Sequence, residues 1–137
     1  MNIRVKIESN FVEGPNCEAE GQFETRNGFQ EFCWVQPAGK DEALGAKYTV
    51  TYDMHNKIME MVRSGDFISV MRFCEGTRTR GEVSTPGGRF DMEIFTRELL
   101  VPDKPAGCVA LRYDLILPGQ EPMENELYIH FYPSGIE

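Results

Sequence analysis

Residue types that could carry out acid–base or nucleophilic chemistry are few in this chain. Its 137 residues include two histidines, His55 and His130, and neither has a motif partner that would make it a general base. Ser64 lies in an Arg-Ser-Gly-Asp stretch, which is typical of a turn. Carboxylate pairs such as Glu18 and Glu20 share one strand face and need only form a solvated surface. We therefore predict no catalytic residues and no enzyme activity.

The cysteines are far apart and form no Cys-x-x-Cys pair. A zinc site needs closely spaced cysteine and histidine ligands, and a structural disulfide needs an oxidising compartment. We expect free thiols, no metal site and no cofactor. The four thiols are those of Cys17, Cys33, Cys74 and Cys108.

The formal net charge of -8 argues against a general affinity for nucleic acids or anionic membranes. One segment departs from this balance, because residues 72–89 hold four arginines and two glutamates. Its arginines could form a patch for an anionic partner, or could make cross-strand ion pairs with glutamates such as Glu75 and Glu82, and we favour the ion pairs. The patch would consist of Arg72, Arg78 and Arg80.

The first residues alternate charged and β-branched side chains and lack the apolar run of a signal peptide. No later window approaches the roughly 18 apolar residues of a membrane-spanning helix. We therefore expect a cytoplasmic protein with no membrane association.

Alternation of apolar and polar residues dominates the chain and predicts about ten strands joined by short turns. Asn27-Gly28 is the strongest hairpin signal, because both residues tolerate positive φ. A sheet of this many strands closes or splits to avoid long open edges. The sequence predicts an all-β, antiparallel up-and-down barrel of about 8–10 strands with little helix, and a β-sandwich is the alternative. Residues 1–137 would form one domain, with 133–137 as a short tail.

The alternation also predicts which side chains face the interior. They are Ile3, Val5, Ile7, Phe23, Tyr48, Val50, Tyr52, Phe90, Met92, Ile94, Val109, Leu111, Tyr113, Leu115, Leu117, Leu127, Ile129 and Phe131. Small barrels either fill with such side chains or keep a cavity for one ligand. A packed interior is the simpler interpretation, and a site for a small apolar or amphipathic molecule is the other.

In the ligand-binding interpretation, an arginine inside the barrel would hold an acidic head group. Arg63 is the candidate, because it shares a strand face with Met59 and Met61. If Ile58, Glu60 and Val62 face inward instead, Arg63 points to solvent. The other predicted lining residues are Tyr48, Tyr52, Phe90, Met92, Leu111, Tyr113 and Phe131.

A protein-interaction module or homodimer is the third interpretation, and it would use an exposed aromatic patch. The aromatic residues assigned to that patch are Phe32, Trp34, Tyr128 and Tyr132.

Short motifs along the chain resemble those of the YwiB-like family. They are Arg63-Ser64-Gly65, Met71, Phe73, Gly76, Arg78-Thr79, Gly81, Thr85-Pro86, Tyr113-Asp114-Leu115 and Asn125-Glu126-Leu127. The resemblance covers nearly the whole chain and implies a bacterial domain of unknown function with a lipocalin-like (calycin) β-barrel. Because the family has no established activity, the resemblance implies no catalytic residues.

Overall fold

Ten antiparallel strands make up the protein in a computed structural model that describes residues 1–9, 17–36, 46–102 and 106–133, apart from the side chains of Ser9, Cys17 and Gln36. The strands are β1 (Asn2–Ser9), β2 (Cys17–Arg26), β3 (Phe29–Gln36), β4 (Ala46–Asp53), β5 (Ile58–Ser64), β6 (Ile68–Phe73), β7 (Arg78–Thr85), β8 (Gly88–Leu100), β9 (Gly107–Ile116) and β10 (Met123–Pro133). Of the predicted tail, residues 133–137, Pro133 is the last residue of β10, and the rest lies outside the described residues.

Each strand pairs with the next one along the chain, and β10 pairs with β1 to close the barrel. This is the predicted up-and-down barrel, and the sandwich alternative is wrong. Sequential antiparallel pairing follows from the short turns, which leave no length for a crossover. Within the described ranges, no helix is long and apolar enough to cross a membrane.

The hairpin between β2 and β3 has the predicted turn. Asn27 and Gly28 adopt φ of 49° and 83°, so both central residues lie in the left-handed region that two-residue hairpins require. This turn sets the register in which Phe23 lies opposite Phe32 and Gly21 lies opposite Trp34. Phe32 and Trp34 of β3 therefore lie on the same face of the sheet as Phe23 and Gly21 of β2.

The interior is packed with apolar side chains from β1–β6 and β8–β10. All residues predicted to face inward are buried or half-buried, with the exception of Phe90. Three phenylalanines from β2, β3 and β10 form an aromatic cluster across the barrel: the ring centroid of Phe32 lies 5.0 Å from that of Phe23 and 4.6 Å from that of Phe131. Such contacts between distant strands hold the closed sheet together.

The predicted aromatic patch does not exist as a surface. Phe32 and Trp34 are 2% and 3% exposed, because β3 turns them toward the interior in register with Phe23 and Gly21. Tyr128 and Tyr132 lie on the outside of β10, where Tyr132 is exposed. An interface built on all four residues is therefore excluded.

A β-bulge interrupts β8 between Thr96 and Glu98. The residue within the bulge, Arg97, points outward and makes two hydrogen bonds of 2.9 Å to the buried carboxylate of Asp114. Beyond the bulge the backbone N–H of Leu99 donates to Oε1 of Glu75, at 3.1 Å. A turn carboxylate thus satisfies an amide that the irregular ladder leaves unpaired.

Candidate ligand site at one end of the barrel

Three hydrogen-bond donors lie side by side on the inner face of β3, β4 and β5. Trp34 pairs with Tyr48, and Tyr48 pairs with Arg63, so the three residues occupy neighbouring positions on one face of the sheet. The Trp34 and Tyr48 rings are stacked, with centroids 5.2 Å apart and planes 10° from parallel. We call Trp34, Tyr48 and Arg63 the donor row.

Arg63 faces the interior, which settles the alternative that the sequence left open. Met59 and Met61 are buried, whereas Ile58 is exposed, so the methionine face of β5 points inward and Arg63 extends it. The Arg63 side chain is 15% exposed. It lies beside the turn between β5 and β6, at the end of the barrel.

The guanidinium of Arg63 is held by that turn. One NH2 group donates to the Asp66 carboxylate at 3.0 Å, and the other donates to the carbonyl oxygen of Phe67 at 3.1 Å. The Phe67 ring covers the guanidinium carbon at 3.6 Å from its centroid. The hydrogen bond from Arg63 lowers the pKa of Asp66.

The donor row has unused hydrogen-bonding capacity. A guanidinium carries five N–H donors, and among the described residues Arg63 uses two of them, on Asp66 and Phe67. The buried Nε1 of Trp34 has no hydrogen-bond partner in that part of the chain. Because a buried donor without an acceptor costs free energy, an acceptor at this end of the barrel would be stabilised.

Methionines line the layer next to the donor row. Met61 pairs with Val50 on one side and with Met71 on the other, while Met92 lies opposite Gly81. Met71 and Met92 are half-buried. Unbranched thioether side chains fill irregular space and adjust to a partner more readily than branched ones.

Comparison with known proteins gives the same fold. Residues 3–129 match the family model described as "Domain of unknown function (DUF1934)". The chain belongs to this family. It is also similar to the structure titled "Crystal structure of ywiB protein from Bacillus subtilis", with a TM-score of 0.74 over 97% of this chain and 90% of that one. The sequence identity is 14%, so this similarity shows the fold alone. No curated protein matches this chain.

These matches confirm the resemblance to the YwiB-like family that the short motifs indicated. They assign no activity, so the role of the barrel has to be argued from its own residues.

Two of the predicted lining residues, Leu111 and Phe131, are fully buried in the barrel interior. Leu111 is 0% exposed and Phe131 is 1% exposed, so no water-sized space lies beside either side chain. Tyr113 packs edge-on against Phe73 at 5.1 Å, and burial raises its pKa. The middle of the barrel is therefore filled, and a ligand would have to bind nearer its end.

Tyr52 is half-buried, but it lies near the opposite end of the barrel from the donor row. Burial raises its pKa, and the nearby Asp53, Cys74 and Glu75 raise it further. An acidic head group would be repelled there, so Tyr52 does not join the candidate site.

Phe90 is not an interior residue, and its predicted inward position is wrong. It is 59% exposed. The row of paired residues that contains Arg63 continues through Ser69 and Val83 to Phe90. At Phe90 this row has passed the end of β9, so among the described strands β7 alone lies beside the ring.

The predicted ion pairs of the arginine patch exist, but with different partners. Arg72 pairs with Glu60 at 3.0 Å and Arg78 pairs with Glu93 at 3.4 Å. Of the two glutamates named as examples, Glu82 pairs with Arg89 of the same segment at 2.6 Å, whereas Glu75 accepts the N–H of Leu99. Arg80 has no ion pair among the described residues. Binding of an anionic partner by this patch stays a prediction.

The remaining chemistry-bearing residues do not assemble into a site. Cys33, Cys74 and Cys108 are free thiols, and the Cys17 side chain lies outside the described part of the chain. Nε2 of His130 lies 3.5 Å from Glu8, and the backbone N–H of His55 donates to Asp53. Across the described residues, no group of three histidine, cysteine or acidic side chains is placed to hold a metal ion.

Sequence reasoning missed three residues of the candidate site: Trp34, Asp66 and Phe67. Trp34 was assigned to a surface patch, although its alternation with Phe32 and its hairpin register opposite Gly21 could have placed it inside. Asp66 and Phe67 follow the Arg63-Ser64-Gly65 turn, but no sequence pattern shows that the turn folds back onto the guanidinium.

Proposed function

We propose that this protein binds a small amphipathic molecule whose acidic head group lies on the donor row. The observation that carries the proposal is the alignment of three donors from neighbouring strands on the inner face at one end of the barrel. A carboxylate or phosphate accepts several hydrogen bonds at once, and charge-assisted bonds are the strong ones. Within the described part of the chain, the indole N–H of Trp34 is unpaired and Arg63 has spare donors, and both suit such a group.

The apolar part of the ligand would lie against Met61, Met71 and Met92. These side chains can adapt to an acyl or aromatic group, whereas the interior beyond them is packed. The ligand is therefore short, and it enters the barrel end without crossing the interior. The mouths of β-barrels are a common position for small-molecule sites. The proposal places the protein in the cytoplasm and gives it no catalytic step.

Asp66 acts in this proposal as an internal competitor. Its carboxylate holds one edge of the guanidinium at 3.0 Å, and its side chain is 62% exposed. Replacing it with a neutral amide would free donors of Arg63 while disturbing little packing. Substitution of Arg63 should therefore lower the affinity for the ligand, and substitution of Asp66 should raise it.

The test is a titration with anilinonaphthalene sulfonate, followed by displacement with decanoate and with the uncharged decanol. We expect decanoate to displace the probe at lower concentration than decanol. Arg63→Gln should weaken decanoate binding about tenfold or more, and Asp66→Asn should strengthen it several-fold, because charge-assisted hydrogen bonds contribute about 1.5–3 kcal/mol. Decanol binding should change little in both variants.

Arg4→Gln is the matched control, because Arg4 lies on the outside of β1 and pairs with Glu18 at the surface. It should bind decanoate as the unmodified protein does. The proposal fails if decanoate does not bind, or if Arg63→Gln and Arg4→Gln bind it equally. It also fails if Asp66→Asn weakens binding as much as Arg63→Gln, since that result would indicate a structural role for the turn.

A further inference from the structure

Among the described residues, the first five of β8 have a strand on one side only. Gly88 to Met92 pair with β7, but the ladder to β9 begins at Glu93, which lies opposite Ile116, the last residue of β9. Beside Asp91 and Met92 an open groove of about 540 Å³ separates this edge from the connection between β9 and β10. The backbone N–H and C=O groups on this side of β8 are therefore accessible to another strand.

We propose that a second copy of the chain pairs with this edge, antiparallel and about a twofold axis through Phe90. In that register Phe90 lies opposite Phe90 of the second copy, and Arg89 lies opposite its Asp91, twice by symmetry. Gly88 lies opposite Met92. The two β7–β8 hairpins then form one continuous sheet, which is an isologous contact.

The charge pattern selects this register from its neighbours. Shifting the axis to Arg89 would place two arginines opposite each other, and shifting it to Asp91 would do the same with two aspartates. Directly opposed like charges destabilise a strand pair, whereas opposed unlike charges stabilise it. The segment Arg89-Phe90-Asp91 is therefore complementary to itself only when Phe90 is central.

In the monomer, Arg89, Phe90 and Asp91 are exposed and could each contact a second copy of the chain. Asp91 lies opposite Glu82 in the ladder, which is a like-charge pair, and it has no ion pair among the described residues. Arg89 contacts Glu82 at 2.6 Å but is still 64% exposed. Phe90, an exposed aromatic ring, would lie against its counterpart in the second copy. The pairing thus gives Asp91 a cation and covers Phe90.

The contact is short, so the dimer is expected to be weak, with a Kd of about 10–100 µM. Sedimentation velocity at protein concentrations from about 5 to about 500 µM spans the corresponding transition. The unmodified chain should pass from monomer to dimer over this range.

Charge reversal tests the register. Arg89→Asp and Asp91→Arg should each weaken self-association about tenfold or more, because each makes both charge pairs repulsive. An equimolar mixture of the two variants should form a heterodimer with an affinity close to that of the unmodified protein, because every opposed pair is again of unlike charge. Folding of each variant is checked by circular dichroism.

Lys47→Asp is the control, since Lys47 is an exposed cation on the outside of β4, far from the β8 edge in the sheet order. It should dimerise as the unmodified chain does. A chain that stays monomeric at the highest concentration overturns the proposal. A dimer that resists both reversals, or variants that fail to associate when mixed, would likewise exclude this pairing.

Discussion

Tyr113 shows how burial of a single residue makes stability depend on pH. Its ring packs against Phe73, and burial raises its pKa above 10.0. In the unfolded chain the phenol loses its proton near pH 10, while in the folded barrel it keeps the proton to higher pH. The contribution of the raised Tyr113 pKa to the free energy of unfolding is therefore fully present below pH 10. It decreases as the pH rises toward the pKa of Tyr113 in the folded protein.

We expect the free energy of unfolding to fall above pH 10, and Tyr113→Phe to reduce that fall by up to about 1.4 kcal/mol per pH unit. Urea unfolding at a series of pH values between about 9 and 11 measures the free energy of unfolding of both proteins. Tyr132→Phe is the control, because it removes the same hydroxyl group from an exposed tyrosine. Parallel curves for Tyr113→Phe and the unmodified protein would contradict the burial argument.

At the scale of strands, close approach of β2 and β3 depends on Gly21. A Cβ at this position would lie 2.2 Å from the backbone oxygen of Cys33 and 3.1 Å from Cβ of Trp34. Because the nearest atom belongs to the backbone, the strands would have to separate, and Trp34 would move out of the donor row.

We expect Gly21→Ala to destabilise the barrel by about 2–4 kcal/mol and to change the fluorescence of Trp34 in the folded state. Gly87→Ala is the matched control, since a Cβ there would meet only the Thr85 hydroxyl at 3.7 Å, and it should be neutral or slightly stabilising. Chemical denaturation followed by fluorescence compares the two. Equal stability of both variants would show that β2 and β3 tolerate the added atom.

The faces of the strands could be predicted from the sequence, whereas the positions at which neighbouring strands end could not. Alternation placed the inner faces of the strands correctly, because a strand has two faces and one must be buried. It could not show that Phe90 lies beyond the barrel end, because the exposure of a strand residue depends on where the neighbouring strand ends. It also could not distinguish a filled interior from a hollow one, which depends on how side-chain volumes at Leu111 and Phe131 meet across the sheet.

The candidate site illustrates this limit. The face of Arg63 was an open alternative in the sequence and was settled by the burial of Met59 and Met61. Its contacts with Asp66 and Phe67 depend on the path of a turn, for which hydrophobic periodicity contains no information.

At the scale of the whole molecule, closure of the barrel should make unfolding cooperative. Phe131 on the last strand meets Phe32 on the third at 4.6 Å and Phe23 on the second at 6.2 Å. These contacts join the two ends of the chain through the interior, so their loss should weaken every strand together. A sheet left open between β1 and β10 would instead unfold from its edges.

We expect Phe131→Ala to lower the free energy of unfolding by about 3–5 kcal/mol, because it removes a fully buried ring from a packed interior. Loss of secondary structure by circular dichroism and loss of Trp34 burial by fluorescence should follow one transition. Tyr132→Ala, at the neighbouring exposed position, should cost much less. If the two signals of Phe131→Ala separate, β10 detaches before the remaining strands unfold, and closure is not the source of cooperativity.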